Sequence, residues 1–180
     1  MANGRVVHNS GDWSLNLQNL GRDSKLRSAL TAPPGHVIVS ADASQIEARI
    51  VSWLAGCTAL VSAFDRGEDV YSSFASNVYG FPVNKHDHPT ERFVGKTAVL
   101  GLGFGMGIPK FMHTCWVQSK RKTKIDLGIG TRTVSTYRTV YHEIPSYWAA
   151  QNNVIHMLST RTSGALGVLI VDGPTQSIIL

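Results

Sequence analysis

Two short segments carry residue types that could do chemistry. The first is Asp42-Ala-Ser-Gln-Ile-Glu-Ala-Arg49. The second runs from Arg92-Phe-Val-Gly-Lys96 through Leu100-Gly101 to Phe104-Gly105. In the second, Arg92, Lys96, Leu100 and Phe104 are spaced four apart. On a helix that spacing makes a slowly drifting stripe along one face. Two cations followed by two apolar side chains suit a nucleotide, with phosphates at the cationic end and base and sugar at the apolar end. The plainer reading is an amphipathic helix whose cations are solvated. In the first segment, an aspartate delivered to the end of a strand suits a hard divalent cation such as Mg²⁺, which takes oxygen ligands. A lone aspartate at a strand end is also often structural.

Local signals say which elements would position these groups. His36 to Ala41 reads as a short β-strand running into Asp42. Ser44 reads as an N-cap, with Glu47 three residues later completing a capping-box pattern. Ile46, Ile50, Trp53 and Leu54 then recur at helical spacing. Further helices are expected over 69–79, ending before Gly80 and Pro82, and over 89–102, with proline near its start. Helices over 108–119, 131–142 and 146–160 follow. Leu166 to Val171, the Asp172-Gly173 turn signal and Gln176 to Leu180 read as a β-hairpin. Residues 1–35 look loop-rich, punctuated by glycines and prolines.

Composition narrows the classes. The chain has 180 residues, 43% hydrophobic and 16% charged. That excludes an intrinsically disordered chain and suits one domain or a piece of a larger one. No apolar run approaches the roughly 18–20 residues that span a bilayer, and residues 1–10 contain no signal-peptide core. Cys57 and Cys115 stand far apart, as reduced thiols of an intracellular protein would. The net charge of +5 and pI near 9.4 tilt toward a polyanionic partner. Lys120-Arg121-Lys122 with Lys124 is a compact basic cluster, able to follow a phosphate backbone or simply to sit in a solvated loop.

Three other patterns fail on inspection. Gly101 to Gly107 resembles a dinucleotide fingerprint, but Met106 occupies the third glycine position and a helix, not a strand, precedes it. Gly95-Lys96-Thr97 resembles the end of a phosphate-binding loop, but Thr90 stands where its first glycine is needed. His86-Asp87-His88 is too contiguous to face one ion.

Taken together, the two surviving segments resemble motifs A and B of family A DNA polymerases. Asp42-x-Ser-Gln-Ile-Glu-x-Arg49 resembles D-Y-S-Q-I-E-L-R. Arg92-x3-Lys96-x3-Leu100-Gly101-x2-Phe104-Gly105 is similar to R-x3-K-x3-F/Y-G-x2-Y-G. Asn16-Leu-Gln-Asn-Leu20 resembles the family's N-L-Q-N-I/L segment, and Asn3-Gly4-Arg5 its T-G-R. Ser-Gly-Asp-Trp13 and Gln-Ile-Glu-Ala-Arg49 resemble the phage branch.

The resemblance implies an α+β, mostly helical fold. Residues 1–65 would be part of an antiparallel palm, and 66–180 helical fingers with a C-terminal hairpin. It implies two Mg²⁺ ions on Asp42, one also on the Ala43 carbonyl. Glu47 would exclude a ribose 2′-hydroxyl. Arg92 and Lys96 would hold the triphosphate, with Lys96 a candidate proton donor to pyrophosphate. Leu100 would face the sugar and base, and Phe104 would stack near the templating pair. Gln45 and Tyr71 join the nucleotide-binding set, Tyr71 standing where the family often has histidine. Arg5, Gln18 and Asn19 would contact the primer–template. The implied partners are primer–template DNA and dNTPs, without a membrane, in the cytoplasm.

Departures from the pattern matter. Leu100 replaces an aromatic residue, which implies stronger discrimination against dideoxynucleotides than a tyrosine would give. Phe104 lacks a hydroxyl. The family's second catalytic aspartate, in an H-D-E motif, has no counterpart, so the chain reads as a fragment inactive by itself. A relative of single-subunit RNA polymerases and a non-catalytic DNA-binding module are the alternatives. Glu47 as a sugar gate favours DNA over RNA synthesis.

Overall fold

The computed structural model describes residues 5–7, 14–16, 20, 24–166 and 169–179. The chain divides into two compact units, Met1–Ala43 and Ser44–Leu180.

In the first unit, β1 (Arg5–Val7) pairs antiparallel with β2 (Ser14–Asn16), Arg5 opposite Asn16. One helical turn, α1 (Lys25–Ser28), starts where the Ser24 hydroxyl accepts from the Leu26 amide at 3.2 Å. The strand expected over 36–41 does not form. A strand needs a neighbour to take its amides and carbonyls, and no strand among the described residues runs beside this segment. Val37 and Val39 are more than four-fifths exposed.

The second unit is helical with one small sheet. Its helices are α2 (Ile46–Leu54), α3 (Thr58–Asp65), α4 (Val70–Tyr79), α5 (Pro89–Leu102), α6 (Ile108–Gln118), α7 (Leu127–Val140) and α8 (Glu143–Thr160). The sheet is antiparallel, in the order β3 (Gly164–Leu166), β4 (Leu169–Asp172), β5 (Ser177–Ile179). The chain is therefore α+β and mostly helical, as expected. The hairpin is present too, but with a longer turn than Asp172-Gly173 suggests. The Asp172 carboxylate accepts from Thr175 Oγ1 at 2.6 Å, and Ser177 reopens the ladder opposite Asp172.

Helix α4 begins where the Asp69 carboxylate accepts from the Ser72 amide and ends at Gly80 in the left-handed region, φ 78°. Helix α5 starts with Pro89, whose missing N–H is no loss in a first turn. The two pack tightly around Phe74, Val94 and Ala98, all with no exposed surface. Phe74 meets Tyr137 of α7 edge-on at 5.8 Å and stacks on Tyr141 at 5.9 Å.

The Tyr137 hydroxyl is buried with no hydrogen-bond partner among the described residues, and burial first of all pushes it well above the ordinary phenol range. Such a hydroxyl costs free energy, about 1–3 kcal/mol when wholly unsatisfied. Tyr137→Phe is therefore expected to leave stability unchanged or raise it, where most core changes lower it. A melting curve checks this. A fall of several degrees would mean the hydroxyl has a partner.

Both cysteines are buried and unpaired. Burial is the chief cause that lifts each thiol to about 11. They are protonated, poorly nucleophilic core residues.

Candidate functional site

Helices α4 and α5 bring the first group together. Arg92, on the second turn of α5, donates from Nε to Asp69 Oδ2 at 2.7 Å and from Nη2 to Asp69 Oδ1 at 3.0 Å. Its guanidinium carbon lies 5.4 Å from the centre of the Tyr71 ring, within cation–π range. Gln45 hydrogen-bonds the Tyr71 hydroxyl. Arg92, Tyr71 and Gln45 thus share one neighbourhood. Burial acts to raise the Asp69 carboxyl, but the hydrogen bonds from Arg92 and Ser72 outweigh it and hold the group below the usual carboxylate range. Burial lifts the Tyr71 hydroxyl, partly offset by Gln45 and by the Arg92 charge.

Lys96 follows one turn later, exposed and with no partner among the described residues. Leu100 comes next, half-buried. The helix then stops at Leu102, so Phe104 lies beyond it in a turn closed by Phe104 N–H to Gly101 O at 3.3 Å. The expected four-residue stripe is therefore three helical positions plus one turn residue. Four glycines between 101 and 107 explain the stop. Phe104 is 65% exposed and borders a pocket of about 600 Å³ with Glu47, Ile50, Leu54, Tyr147 and Trp148. The Trp148 indole N–H donates to Gly103 O at 3.0 Å and pins this turn to α8. The result is a cationic helix face at one end of α5 and a mainly apolar pocket with one carboxylate at the other. Such an arrangement can accept a polyanion and a flat ring.

Helix α2 departs from the expected start. Gln45, not Ser44, is the N-cap, in the left-handed region at φ 57°, without a side-chain cap bond. Arg49 takes the Ser44 carbonyl instead, Nε to O at 3.2 Å, and donates to Phe64 O at 3.2 Å while stacking over the Phe64 ring at 4.9 Å. Arg49 therefore ties α2 to α3. Ala48 and Ser52 are the buried residues of α2. Ile46, Ile50, Trp53 and Leu54 are 45–68% exposed.

Asp42 and Ala43 end the first unit and are both exposed. A carboxylate beside a carbonyl that takes no bond among the described residues fits Mg²⁺, which commonly takes one or two carboxylates and completes its shell with phosphates and water. Among the described residues no group of three His, Cys, Asp or Glu side chains gathers into a metal cluster. The backbone of Arg5 lies in β1, whereas Gln18 and Asn19 fall outside the described residues. The basic cluster 120–124 occupies the exposed α6–α7 turn. The Asn84 side-chain oxygen caps a local turn by accepting from the backbone amides of His86 and Asp87.

Asp69, Gly95 and Trp148 are site-building residues that motif reading passed over. Asp69 entered the sequence reading only as the first residue of the 69–79 helix. Gly95 is a packing glycine, and Trp148 acts from 45 residues away.

A helix with a cationic face at one end and a mainly apolar pocket at the other frames the site, and comparison with known proteins specifies the family. The profile described as DNA polymerase family A matches residues 4–163. DNA polymerase I of Chloroflexus aurantiacus is 36% identical over 111 residues, 58% of this chain and 11% of that protein. DNA polymerase I of Synechocystis is 32% identical over 137 residues, 73% and 13% respectively. The thermostable DNA polymerase I of Thermus thermophilus is 35% identical over 95 residues, 51% and 11%. The chain belongs to DNA polymerase family A. It spans about a tenth of the length of the curated relatives it matches.

Proposed function

We propose that this chain carries the incoming-nucleotide site of a template-dependent DNA polymerase. The protein it belongs to would add dNTPs to a primer 3′-hydroxyl. The single observation that best supports this is Arg92, oriented by Asp69 and Tyr71 one helical turn from Lys96, which has no partner among the described residues. Residues 1–65 would serve as part of the palm and 66–180 as fingers.

Arg92 and Lys96 would grip the triphosphate, and Lys96 would also pass a proton to the leaving pyrophosphate. Glu47 would close the sugar side against a 2′-hydroxyl. Leu100 would lie along the sugar and base, with Phe104 beside the templating pair. Gln45 would hold Tyr71, and Tyr71 would back Arg92. Arg5, Gln18 and Asn19 would contact the primer–template. Asp42 and the Ala43 carbonyl would hold Mg²⁺. The chemistry Mg²⁺ supplies when bound is activation of the primer 3′-hydroxyl and compensation of phosphate charge. Positioning by the chain's own residues supplies much of the rest. The compartment we propose is the cytoplasm; no helix of the described residues is long and apolar enough to cross a membrane. The wording around Trp13 and Gln45 supports a phage-type member of the family.

Equilibrium dialysis of the chain with dATP and Mg²⁺ tests the reading. Saturable binding is expected, displaced by pyrophosphate and weaker for ATP. A chain that folds but retains no dATP would overturn it, and equal affinity for ATP would remove Glu47 as the gate.

A further inference from the structure

Arg92 is held on two sides. One edge of its guanidinium, Nε and Nη2, is taken by both oxygens of Asp69. One face lies against the Tyr71 ring. Its other terminal nitrogen, Nη1, has no partner among the described residues. The side chain is about three-quarters buried at 23% exposure, while Asp69 keeps 38%. A long, flexible cation is thus frozen in one pose with one donor edge left open.

We infer that Asp69 is a positioning residue for nucleotide binding: it fixes Arg92 so that the free guanidinium edge is presented to the triphosphate. This rests on the proposed function and adds to it a residue outside motifs A and B. The physical basis is entropy spent before the ligand arrives. Ordering one long side chain at an interface costs enough to change affinity roughly three- to tenfold, and Asp69 bears that cost in the free protein. A side-on pair leaves donors for a second acceptor, which an ammonium could not do in fixed directions.

An opposing effect exists. The Asp69 carboxylate also repels a triphosphate. Both partners are partly solvated, so that repulsion is screened. The two effects separate in a double-mutant cycle. Asp69 also caps α4, so the replacement must keep the cap. Asn and Ser both do.

The experiment measures dATP affinity, with Mg²⁺, of the full chain and of Asp69→Asn, Arg92→Ala and the double variant, with Asp69→Ser as a second cap-preserving replacement. Melting temperatures are followed in parallel. In the wild-type background Asp69→Asn is expected to weaken binding roughly three- to tenfold. In the Arg92→Ala background it should leave binding unchanged or tighten it, because only repulsion remains. An equal factor in both backgrounds would overturn the inference while leaving the nucleotide site intact. Tighter binding in the wild-type background would show that Asp69 competes for Arg92 and would equally overturn it. If the wild-type chain binds no dATP, both the inference and the reading it rests on fall.

Discussion

Gly95→Ala is expected to lower stability by roughly 1–2 kcal/mol, although alanine is the better helix former by about 1 kcal/mol. A β-carbon on Gly95 would run into the backbone carbonyl oxygen of Tyr71 and stand 3.0 Å from Ala75 Cβ and 3.3 Å from its amide nitrogen. Backbone cannot rotate away as a side chain can, so α4 and α5 must separate. Overpacking of this kind typically costs about 1–3 kcal/mol, and here the offending atoms belong to a helix. The core around Phe74, Val94 and Ala98 loses contact when the helices part. Melting should fall by about 2–8 °C for a chain of this size. Gly101→Ala is the control. Its β-carbon meets chiefly the flexible end of Met106, Cε at 2.9 Å, and the propensity gain should offset most of that. Equal melting temperatures for Gly95→Ala and wild type would show that the two helices are not locked by this contact.

The contrast between those glycines shows what the sequence makes legible. Helices α4 and α5 were read to within a residue because their signals are local: Asp69 and Gly80 bracket one, and Pro89 opens the other. The segments 42–49 and 92–105, which resemble the family's motifs A and B, are equally local, and the family was legible through that resemblance. Interactions set by distant partners were not legible. The 36–41 segment has the composition of a strand, but composition does not supply a neighbour. The β1–β2 pair lay hidden in a glycine-punctuated stretch. Asp126 caps α7 through the Ile129 amide at 2.8 Å, so the helix begins at Leu127, four residues before the expected start at 131, because Gly128 and Gly130 weakened the helical pattern. Ser44 has the right type for a cap, yet Arg49 reached its carbonyl and Gln45 took the position. Within the site, the two cations were visible from spacing. That Asp69 holds one of them across 23 residues, or that Trp148 pins Gly103, follows only from the packed helices.

Arg92→Ala and Lys96→Ala should show the reverse of the glycine result: large losses of affinity with little loss of fold. Hydrogen bonds to charged groups are worth about 1.5–3 kcal/mol each, so each replacement should weaken dATP binding roughly ten- to a hundredfold. Arg92→Ala should cost more, since its guanidinium is already oriented and can bind phosphate at two points, whereas Lys96 must order a solvated stem first. Arg92→Lys should recover little of the loss for the same reason. Stability should hardly change. Asp69 is more than one-third exposed, so breaking its ion pair is cushioned by water, and its carboxylate still caps α4. Lys96 makes no bond among the described residues, and alanine suits a helix interior. Both variants should also flatten the dependence of binding on salt, because each removes a charge that meets phosphate. Titrations at two ionic strengths, set beside melting curves, measure all of this. If Arg92→Ala binds dATP as wild type does, the Asp69–Arg92 pair is a strut between α4 and α5, and the cationic face of α5 is not the phosphate site.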